Sequence, residues 1–123
     1  MLTIYYDSKT GNVARFISRL KEMTPCRCQK ISAELEIDTP GHLITYTTKI
    51  GEVPESTWQF VQNNRPNILS ITSSGNRNWG RSYGLAADKI SSAFSLPVLI
   101  KFELSGLNED INNFITKAKQ LCN

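Results

Sequence analysis

Hydroxyl and amide side chains are concentrated in the turn Ser8–Asn12, which separates an apolar stretch at 2–6 from an amphipathic stretch that begins at Val13. A strand that enters a helix through such a turn gathers free backbone N–H groups at the positive end of the helix dipole, which suits a phosphate. Ser8 and Thr10 add hydroxyl donors, and Gly11 allows close approach to the backbone. Asn12 is predicted to cap the helix while donating from its amide. The turn therefore indicates a phosphate cradle, although an ordinary strand-to-helix loop has similar residues.

Two further loops carry polar and aromatic groups after predicted strands. The second loop, 47–51, is rich in hydroxyls, and the third, 75–80, contains two glycines, two asparagines and Trp79. A flat ring with polar edges fits these groups, because it could stack on Trp79 and accept hydrogen bonds from the loop backbone. A second interpretation is that Trp79 only packs within its own loop.

Hydrophobic periodicity predicts that alternating strands and helices hold these loops. The first helix carries an apolar stripe at i, i+3, i+4 and i+7 from Val13, and Pro25 ends this helix near Met23. Trp58 is expected on the inner face of the second helix, and Asn108 is expected to cap the last one. The predicted strands are 2–6, 27–31, 42–46, 68–72 and 96–104, and the predicted helices are 13–23, 54–64, 83–94 and 108–121.

The order of these elements predicts an α/β fold, a flavodoxin-like three-layer sandwich. Right-handed crossovers between parallel strands place helices on both faces of a five-stranded sheet. With the strand order 2-1-3-4-5, the first and second loops flank the switch point at which such sheets bind ligands. All three loops leave the same carboxyl edge, so we expect them to form one site.

Length, charge and cysteine content narrow the class of protein. A chain of 123 residues fits one domain, so 1–123 is expected to be a single flavodoxin-like unit. There is no apolar run of about 18 residues, and a strand starting at Leu2 leaves no room for a signal peptide, so neither a membrane nor export is expected. Three cysteines without C-x-x-C spacing suit a reducing cytoplasm and are expected to be inert. A net charge of +3, spread along the chain, gives little support to nucleic-acid binding.

Residues for acid–base or nucleophilic catalysis are missing from the predicted site. No acidic pair follows the first strand, which disfavours a phospho-accepting receiver domain, and neither Cys26 nor Cys28 has an arginine six positions on, which disfavours a C-x5-R phosphatase. The single histidine, His42, is interpreted as a turn residue, so no Ser–His–acid triad is expected. No His/Cys cluster has metal-ligand spacing. Any chemistry is therefore expected to belong to a bound cofactor.

Four motifs occur in order along nearly the whole chain: YDSKTGNV at 6–13, TYTT at 45–48 with Gly51 and Pro54, SGNRNWG at 74–80, and KFELSG at 101–106. Together they resemble the NrdI family, the small flavodoxin-like FMN proteins that assist class Ib ribonucleotide reductases. The resemblance implies that FMN binds with its phosphate at the first loop and its isoalloxazine ring between the second and third loops. The implied site residues are Ser8, Lys9, Thr10, Gly11, Asn12, Val13, Thr47, Thr48, Lys49, Ile50, Gly51, Ser74, Gly75, Asn76, Asn78, Trp79 and Gly80.

The resemblance also implies a partner and a reaction. In this family the flavin, reduced by a reductant that the sequence does not identify, reacts with dioxygen. The oxidant, superoxide, passes to the β subunit of the reductase, where the dimanganese–tyrosyl radical cofactor is assembled. The protein would then be a cytoplasmic redox activator rather than a metabolic enzyme. A general single-electron-transfer flavodoxin is the alternative, and a nucleic-acid-binding protein with a basic, aromatic surface is a third, weaker hypothesis.

One position departs from the family pattern. Lys49 stands where glycine is common, in a loop whose peptide flips towards N5 of the reduced flavin. A side chain makes a positive φ costlier, so the flip occurs at Lys49 or is taken up at Gly51. Lys49, Arg77 and Arg81 either form a basic rim that stabilises the anionic reduced flavin or serve only solubility. Glu103 either contacts the third loop or a partner, or is a solvated strand end.

Overall fold

The computed structural model describes residues 1–49 and 51–121, in which strands and helices alternate except that the third strand follows the second without a helix between them. The strands are β1 (Leu2–Tyr6), β2 (Cys26–Lys30), β3 (Gly41–Tyr46), β4 (Ile68–Gly75) and β5 (Val98–Glu103). The helices are α1 (Asn12–Met23), α2 (Glu55–Asn64), α3 (Leu85–Phe94) and α4 (Asn108–Leu121). Two 3-10 segments, Arg65–Asn67 and Arg77–Ser82, precede β4 and α3.

The five strands form one sheet in the order β2-β1-β3-β4-β5, and each neighbouring pair is parallel. This confirms the predicted flavodoxin-like α/β sheet. β2 lies at an edge, as its polar residues Arg27, Gln29 and Lys30 predict, and these three residues are exposed. Because the strands are parallel, the loops after β1, β3 and β4 leave the same edge of the sheet.

One face of the sheet packs against α1 and α4. Ile4 and Ile44 from the strands are fully buried there with Phe16 of α1 and Phe114 of α4. Phe16 also stacks on Phe102 of β5, with ring centroids 4.1 Å apart. This core holds the N-terminus of α1 against the sheet, next to the loop that follows β1.

The other face packs against α2 and α3. Tyr5, which neighbours Ile4 and therefore points to the opposite side of the strand, lies here with Phe60 of α2. Trp58 is half-buried at the margin of this core, and its ring meets that of Phe94 of α3 in an edge arrangement, with centroids 5.0 Å apart. Trp58 thus lies on the inner side of its helix, as predicted.

The predicted cap of the first helix is wrong. α1 begins at Asn12, and Gly11 occupies the cap position in the left-handed conformation, with φ of 93°. The Asn12 side chain makes no capping hydrogen bond. Its carbonyl oxygen accepts hydrogen bonds from the side chains of Arg15 and Ser105 instead. Two side-chain donors therefore use the oxygen that a cap would offer to the backbone.

The predicted cap of the last helix is also wrong. Asn108 is the first residue of α4, and the carboxylate of Asp110 in the same turn accepts a 2.7 Å hydrogen bond from the backbone N–H of Leu107. The apolar residues Ile111, Phe114 and Ala118 of this helix are buried, but Leu121 is exposed.

Residues in the left-handed backbone conformation set the start of α3 and the end of β5. α3 begins at Leu85 rather than at Tyr83, because Gly84 immediately before it has a φ of 61°. β5 ends at Glu103, because Leu104 has a positive φ of 53°. Leucine rarely adopts this conformation, so the turn after β5 is held there by its surroundings.

His42 is not a turn residue, which contradicts one interpretation from the sequence and agrees with the predicted strand 42–46. It lies in β3, its side chain is 0% exposed, and its Nδ1 atom is 2.7 Å from the hydroxyl of Ser70 in β4. Burial lowers the pKa of His42 from 6.5 to about 4. The imidazole is therefore neutral at pH 7 and lies inside the sheet, away from the loops.

Two of the cysteines face each other on β2. The sulfur atoms of Cys26 and Cys28 are 3.5 Å apart, and both thiols are free. Burial, and then the hydrogen bond to Cys26, raise the pKa of the Cys28 thiol to about 12. Cys28 is therefore protonated at neutral pH, which agrees with the prediction that it is inert. Cys122 lies outside the described residues.

Candidate functional site

A cleft of about 340 Å³ opens at the carboxyl edge of the sheet, between the loops that follow β1, β3 and β4. Small-molecule sites usually have volumes of about 300–1,000 Å³, so the cleft is at the small end of that range. Most of the residues predicted to bind a cofactor line it together: Ser8, Lys9, Thr10, Asn12, Val13, Thr47, Thr48, Lys49, Ser74, Gly75, Asn76 and Trp79.

The remaining predicted residues are not part of this lining. Gly11, Gly51, Asn78 and Gly80 lie in the three loops without lining the cleft, and Ile50 lies outside the described residues. Two lining residues were not predicted. Tyr46 is the last residue of β3, and Leu104 directly follows β5. The signal for Tyr46 was its position at the carboxyl end of a strand beside the switch point.

The first loop presents free hydrogen-bond donors at the start of α1. The backbone N–H of Ala14 donates to the Ser8 hydroxyl at 3.2 Å, and that of Arg15 donates to the Gly11 carbonyl at 2.9 Å. Within the described ranges, the N–H groups of Asn12 and Val13 have no acceptor. The first turn of α1 contains no acidic residue. These donors, at the positive end of the helix, suit an anion.

A buried carboxylate connects the first loop to α2. Asp7 is 6% exposed, and its Oδ2 atom accepts hydrogen bonds from the hydroxyls of Ser56 at 2.6 Å and Thr57 at 2.8 Å. The Thr57 hydroxyl also lies 2.8 Å from that of Thr45 in β3. Burial, and then the charge of Asp7, raise the pKa of the Tyr46 phenol. This network holds the loop after β1 behind the cleft, although sequence reasoning gave Asp7 no role.

The second loop is a short, tightly closed turn. Thr48 and Glu52 exchange two backbone hydrogen bonds of 2.9 Å each. Between them, Lys49 and Gly51 both have positive φ, of 49° and 81°. Lys49 therefore adopts the left-handed conformation, although its side chain makes a positive φ costlier than it would be for glycine. The base of the loop is fixed where the Thr47 N–H donates to the carbonyl of Ser74, at 2.9 Å.

The third loop is held by its own side chains and by β5. The side-chain oxygen of Asn76 accepts from the N–H of Asn78 at 2.9 Å, and the N–H of Arg77 donates to the carboxylate of Glu103 at 3.2 Å. Glu103 thus contacts the third loop, which was one of its two predicted roles. Trp79 is half-buried and lines the cleft. Its ring is therefore available to a bound ligand as well as to its own loop.

The turn after β5 is a fourth part of the site that sequence reasoning missed. The N–H of Leu104 donates to the carbonyl of Gly75 at 2.9 Å, and the Ser74 hydroxyl donates to the carbonyl of Leu104 at 2.6 Å. These two bonds hold Leu104 against the end of β4 with its side chain 48% exposed beside the cleft. A partly exposed leucine at a cleft gives a flat ligand an apolar contact.

The cleft is lined by positive but not by negative side chains. Lys9 and Lys49 are part of the lining, which includes no carboxylate. Lys49 lies 3.6 Å from Glu52, an exposed pair that only partly offsets the charge. The Arg77 guanidinium lies 5.5 Å from the ring centroid of Tyr83, and the side chain of Arg81 lies outside the described part of the chain. The lining therefore favours a ligand that carries negative charge.

Metal and membrane sites are not indicated. Over residues 1–49 and 51–121, no three histidine, cysteine or acidic side chains are close enough together to hold a metal ion. Among the helices in those ranges, none has the length and apolar character needed to cross a membrane.

The sheet order and the position of the cleft define a flavodoxin-like protein. A solved structure, that of a short-chain flavodoxin associated with a non-canonical PDU bacterial microcompartment, has the same fold, with a TM-score of 0.73 over 98% of this chain and 97% of the other. The two sequences are 19% identical, so the likeness is one of fold. The sequence profile of the NrdI flavodoxin-like family matches residues 4–116, and the chain belongs to that family.

Individual relatives match the chain over almost its full length. The chain is 43% identical over 122 residues to Protein NrdI of Bacillus licheniformis, covering 98% of this chain and 90% of the relative. It is 42% identical over 114 residues to the SPbeta prophage-derived protein NrdI of Bacillus subtilis, covering 93% and 88%. Protein NrdI of Macrococcus caseolyticus is 39% identical over 121 residues, covering 98% and 91%.

Proposed function

We propose that this chain binds FMN in the cleft and, with the flavin reduced, activates a class Ib ribonucleotide reductase in the cytoplasm. Membership of the NrdI flavodoxin-like family supports this function. The observation that carries it is the cleft itself, where unpartnered N–H groups at the start of α1, a half-buried Trp79 and a lining free of carboxylates lie at one edge of the sheet.

The first loop is proposed to hold the phosphate of FMN. The N–H groups of Asn12 and Val13 and the hydroxyl of Thr10 supply donors, and the dipole of α1 favours the negative charge. A Cβ on Gly11 would lie 2.9 Å from the Arg15 guanidinium and would also strain a residue with φ of 93°. Glycine at this position therefore permits the left-handed conformation at the cap and leaves room for the Arg15 side chain.

The isoalloxazine ring is proposed to lie between the second and third loops. Trp79 offers an aromatic face for stacking, and Leu104 an apolar contact. The tight turn at Thr48–Glu52 presents the backbone around Lys49 to the ring edge. The positive charge of Lys49 would stabilise an anionic reduced flavin, by an amount that solvent screening keeps small.

The chemistry that FMN would supply, if bound here and reduced, is the transfer of one electron to dioxygen; the superoxide formed would serve as the oxidant for assembly of the dimanganese–tyrosyl radical cofactor in the β subunit. The chain itself binds and orients the flavin. It also provides a lining that attracts anions, through Lys9 and Lys49. No acid–base residue of the chain takes part in this proposal, which agrees with a cofactor that performs the chemistry.

The test uses a class Ib β subunit from which the metal has been removed. It is mixed anaerobically with Mn(II) and with this chain, loaded with FMN and reduced, and oxygen is then admitted. We expect a tyrosyl radical signal by electron paramagnetic resonance, and superoxide dismutase should suppress it. The control is the same protein freed of FMN, which should give no signal.

The opposite outcome would identify a general electron-transfer flavodoxin. In that case the reduced protein would pass single electrons to an acceptor under anaerobic conditions. The radical yield with the β subunit would not exceed that of the FMN-free control.

A further inference from the structure

Three side chains close a hydrogen-bonded ring beside the phosphate loop. The Arg15 guanidinium donates from Nη2 to the side-chain oxygen of Asn12 at 2.5 Å and from Nε to the Ser105 hydroxyl at 2.9 Å. The Ser105 hydroxyl donates in turn to the same Asn12 oxygen at 3.0 Å. The ring joins the first turn of α1 to the turn after β5, which lies 93 positions along the chain from Asn12.

This ring fixes which end of the Asn12 amide is engaged within the protein and which end is left without a partner. A guanidinium only donates, so the atom that faces Arg15 and Ser105 must be the amide oxygen. Both lone pairs of that oxygen are then used. The amide nitrogen, with two N–H donors, has no acceptor in the described part of the chain, and Asn12 lines the cleft. The donor end is therefore left for a ligand.

The partner of Arg15 is itself held in place. Arg19, one helical turn further along α1, donates to the backbone carbonyls of Ser105 and Gly106. Before Ser105 in the chain, Leu104 is held in its left-handed conformation by two hydrogen bonds. Its carbonyl accepts from the Ser74 hydroxyl, and its N–H donates to the Gly75 carbonyl. The Ser105 hydroxyl is thus presented to Asn12 by an anchored turn rather than by a free loop.

We infer that Arg15 is a positioning residue for the FMN phosphate. It orients the Asn12 amide so that its N–H groups face the phosphate, and it adds a positive charge next to the first turn of α1. The inference rests on the proposed function, because it assumes that a phosphate monoester binds at this loop. Arg19 is on the same helix and anchors the same turn but does not touch Asn12, so it provides a matched control.

The experiment titrates the flavin-free protein with FMN and with riboflavin, which lacks the phosphate, and follows flavin fluorescence. For Arg15→Met we expect the Kd for FMN to rise about tenfold, which is about 1.4 kcal/mol, because the Asn12 amide loses its charged partner. The Kd for riboflavin should stay within about twofold of the wild-type value. The preference for FMN, which is the ratio of the Kd for riboflavin to the Kd for FMN, should therefore fall. Arg19→Met keeps the hydrogen bond from Arg15 to Asn12 and should lower this preference much less than Arg15→Met does.

Two further measurements separate positioning from folding. Ser105→Ala removes one donor to Asn12 and should lower the FMN preference by less than Arg15→Met does. The ³¹P NMR resonance of bound FMN should shift further from its wild-type position in Arg15→Met than in Arg19→Met. Arg15→Lys should restore only part of the preference, because lysine keeps the positive charge but an ammonium cannot bridge Asn12 and Ser105 as the planar guanidinium does.

Distinct outcomes overturn the two proposals. If the wild-type protein binds neither flavin, the proposed function fails. If the wild type prefers FMN but Arg15→Met keeps that preference, or weakens FMN and riboflavin equally, the role of Arg15 is refuted while FMN binding stands. If Arg19→Met lost the FMN preference as strongly as Arg15→Met, the role of Arg15 would also be refuted. Loosening the turn after β5 would then explain the loss without any direct effect of Arg15 on Asn12.

Discussion

Lowering the pH from 7 to 4 is expected to destabilise the protein through one buried side chain, that of His42. Its imidazole is fully buried, with Nδ1 2.7 Å from the Ser70 hydroxyl. Its Nε2 atom has no hydrogen-bond partner among the described residues. A proton added to this ring would place a positive charge inside the sheet. This is why burial lowers the pKa from 6.5 to about 4.

The sign of the effect follows from proton binding. Between pH 6.5 and pH 4 the unfolded chain, with an ordinary imidazole, binds a proton that the folded protein does not. The free energy of unfolding is therefore highest above pH 6.5 and falls as the pH is lowered towards 4. One pKa unit corresponds to about 1.4 kcal/mol, so the interval from 6.5 to about 4 amounts to a loss of about 3 kcal/mol.

The assay is favoured by the sequence, which contains a single histidine. The imidazole resonances in an NMR titration therefore belong to His42 without further assignment, and they should titrate near pH 4. Urea unfolding at several pH values then gives the loss of stability directly. The matched variant is His42→Asn, which keeps a polar atom near Ser70 but does not titrate in this range, so its stability should fall less steeply. An imidazole pKa near 6.5, or equal slopes for the two proteins, would refute the reasoning.

Three other substitutions test the site and its support. Gly75→Ala would place a Cβ 2.5 Å from the backbone nitrogen of Gly84, and we expect it to cost about 2 kcal/mol in urea unfolding; an unchanged midpoint would contradict this. Asp7→Ala leaves two hydroxyls of α2 without their acceptor and should also cost about 2 kcal/mol, against little loss for Asp7→Asn. Trp79→Ala should weaken FMN and riboflavin alike by several-fold, and Trp79→Phe by less. Unchanged binding of both flavins would mean that Trp79 only packs its loop.

The fold was predictable because its determinants are local in sequence. The stripe that begins at Val13 and the apolar run 42–46 have the periods of a helix and a buried strand, and the structure places them in α1 and β3. The alternation of such segments leaves few topologies, and the sheet has the one expected. The three loops meet at one edge because the strands that precede them are parallel.

The missed features depend on contacts between distant residues. Asparagine is a common helix-capping residue type, but the side-chain oxygen of Asn12 accepts hydrogen bonds from Arg15 and from Ser105, which is distant in the sequence. His42 was included in the predicted strand 42–46 but was also interpreted as a turn residue because it follows Pro-Gly; its contact with Ser70 in the neighbouring strand, 2.7 Å away, could not be predicted. Leu104 belongs to the motif at 101–106, but its left-handed conformation could not be predicted, because residue type indicates that conformation mainly for glycine, asparagine and aspartate.

Binding of FMN is the central claim, and a direct titration tests it. Flavin-free protein is added to FMN while the fluorescence and visible absorption of the flavin are followed. We predict saturable quenching at one FMN per chain and a perturbed flavin spectrum. A protein that leaves both the fluorescence and the spectrum of FMN unchanged would contradict the proposal that this cleft is a flavin site.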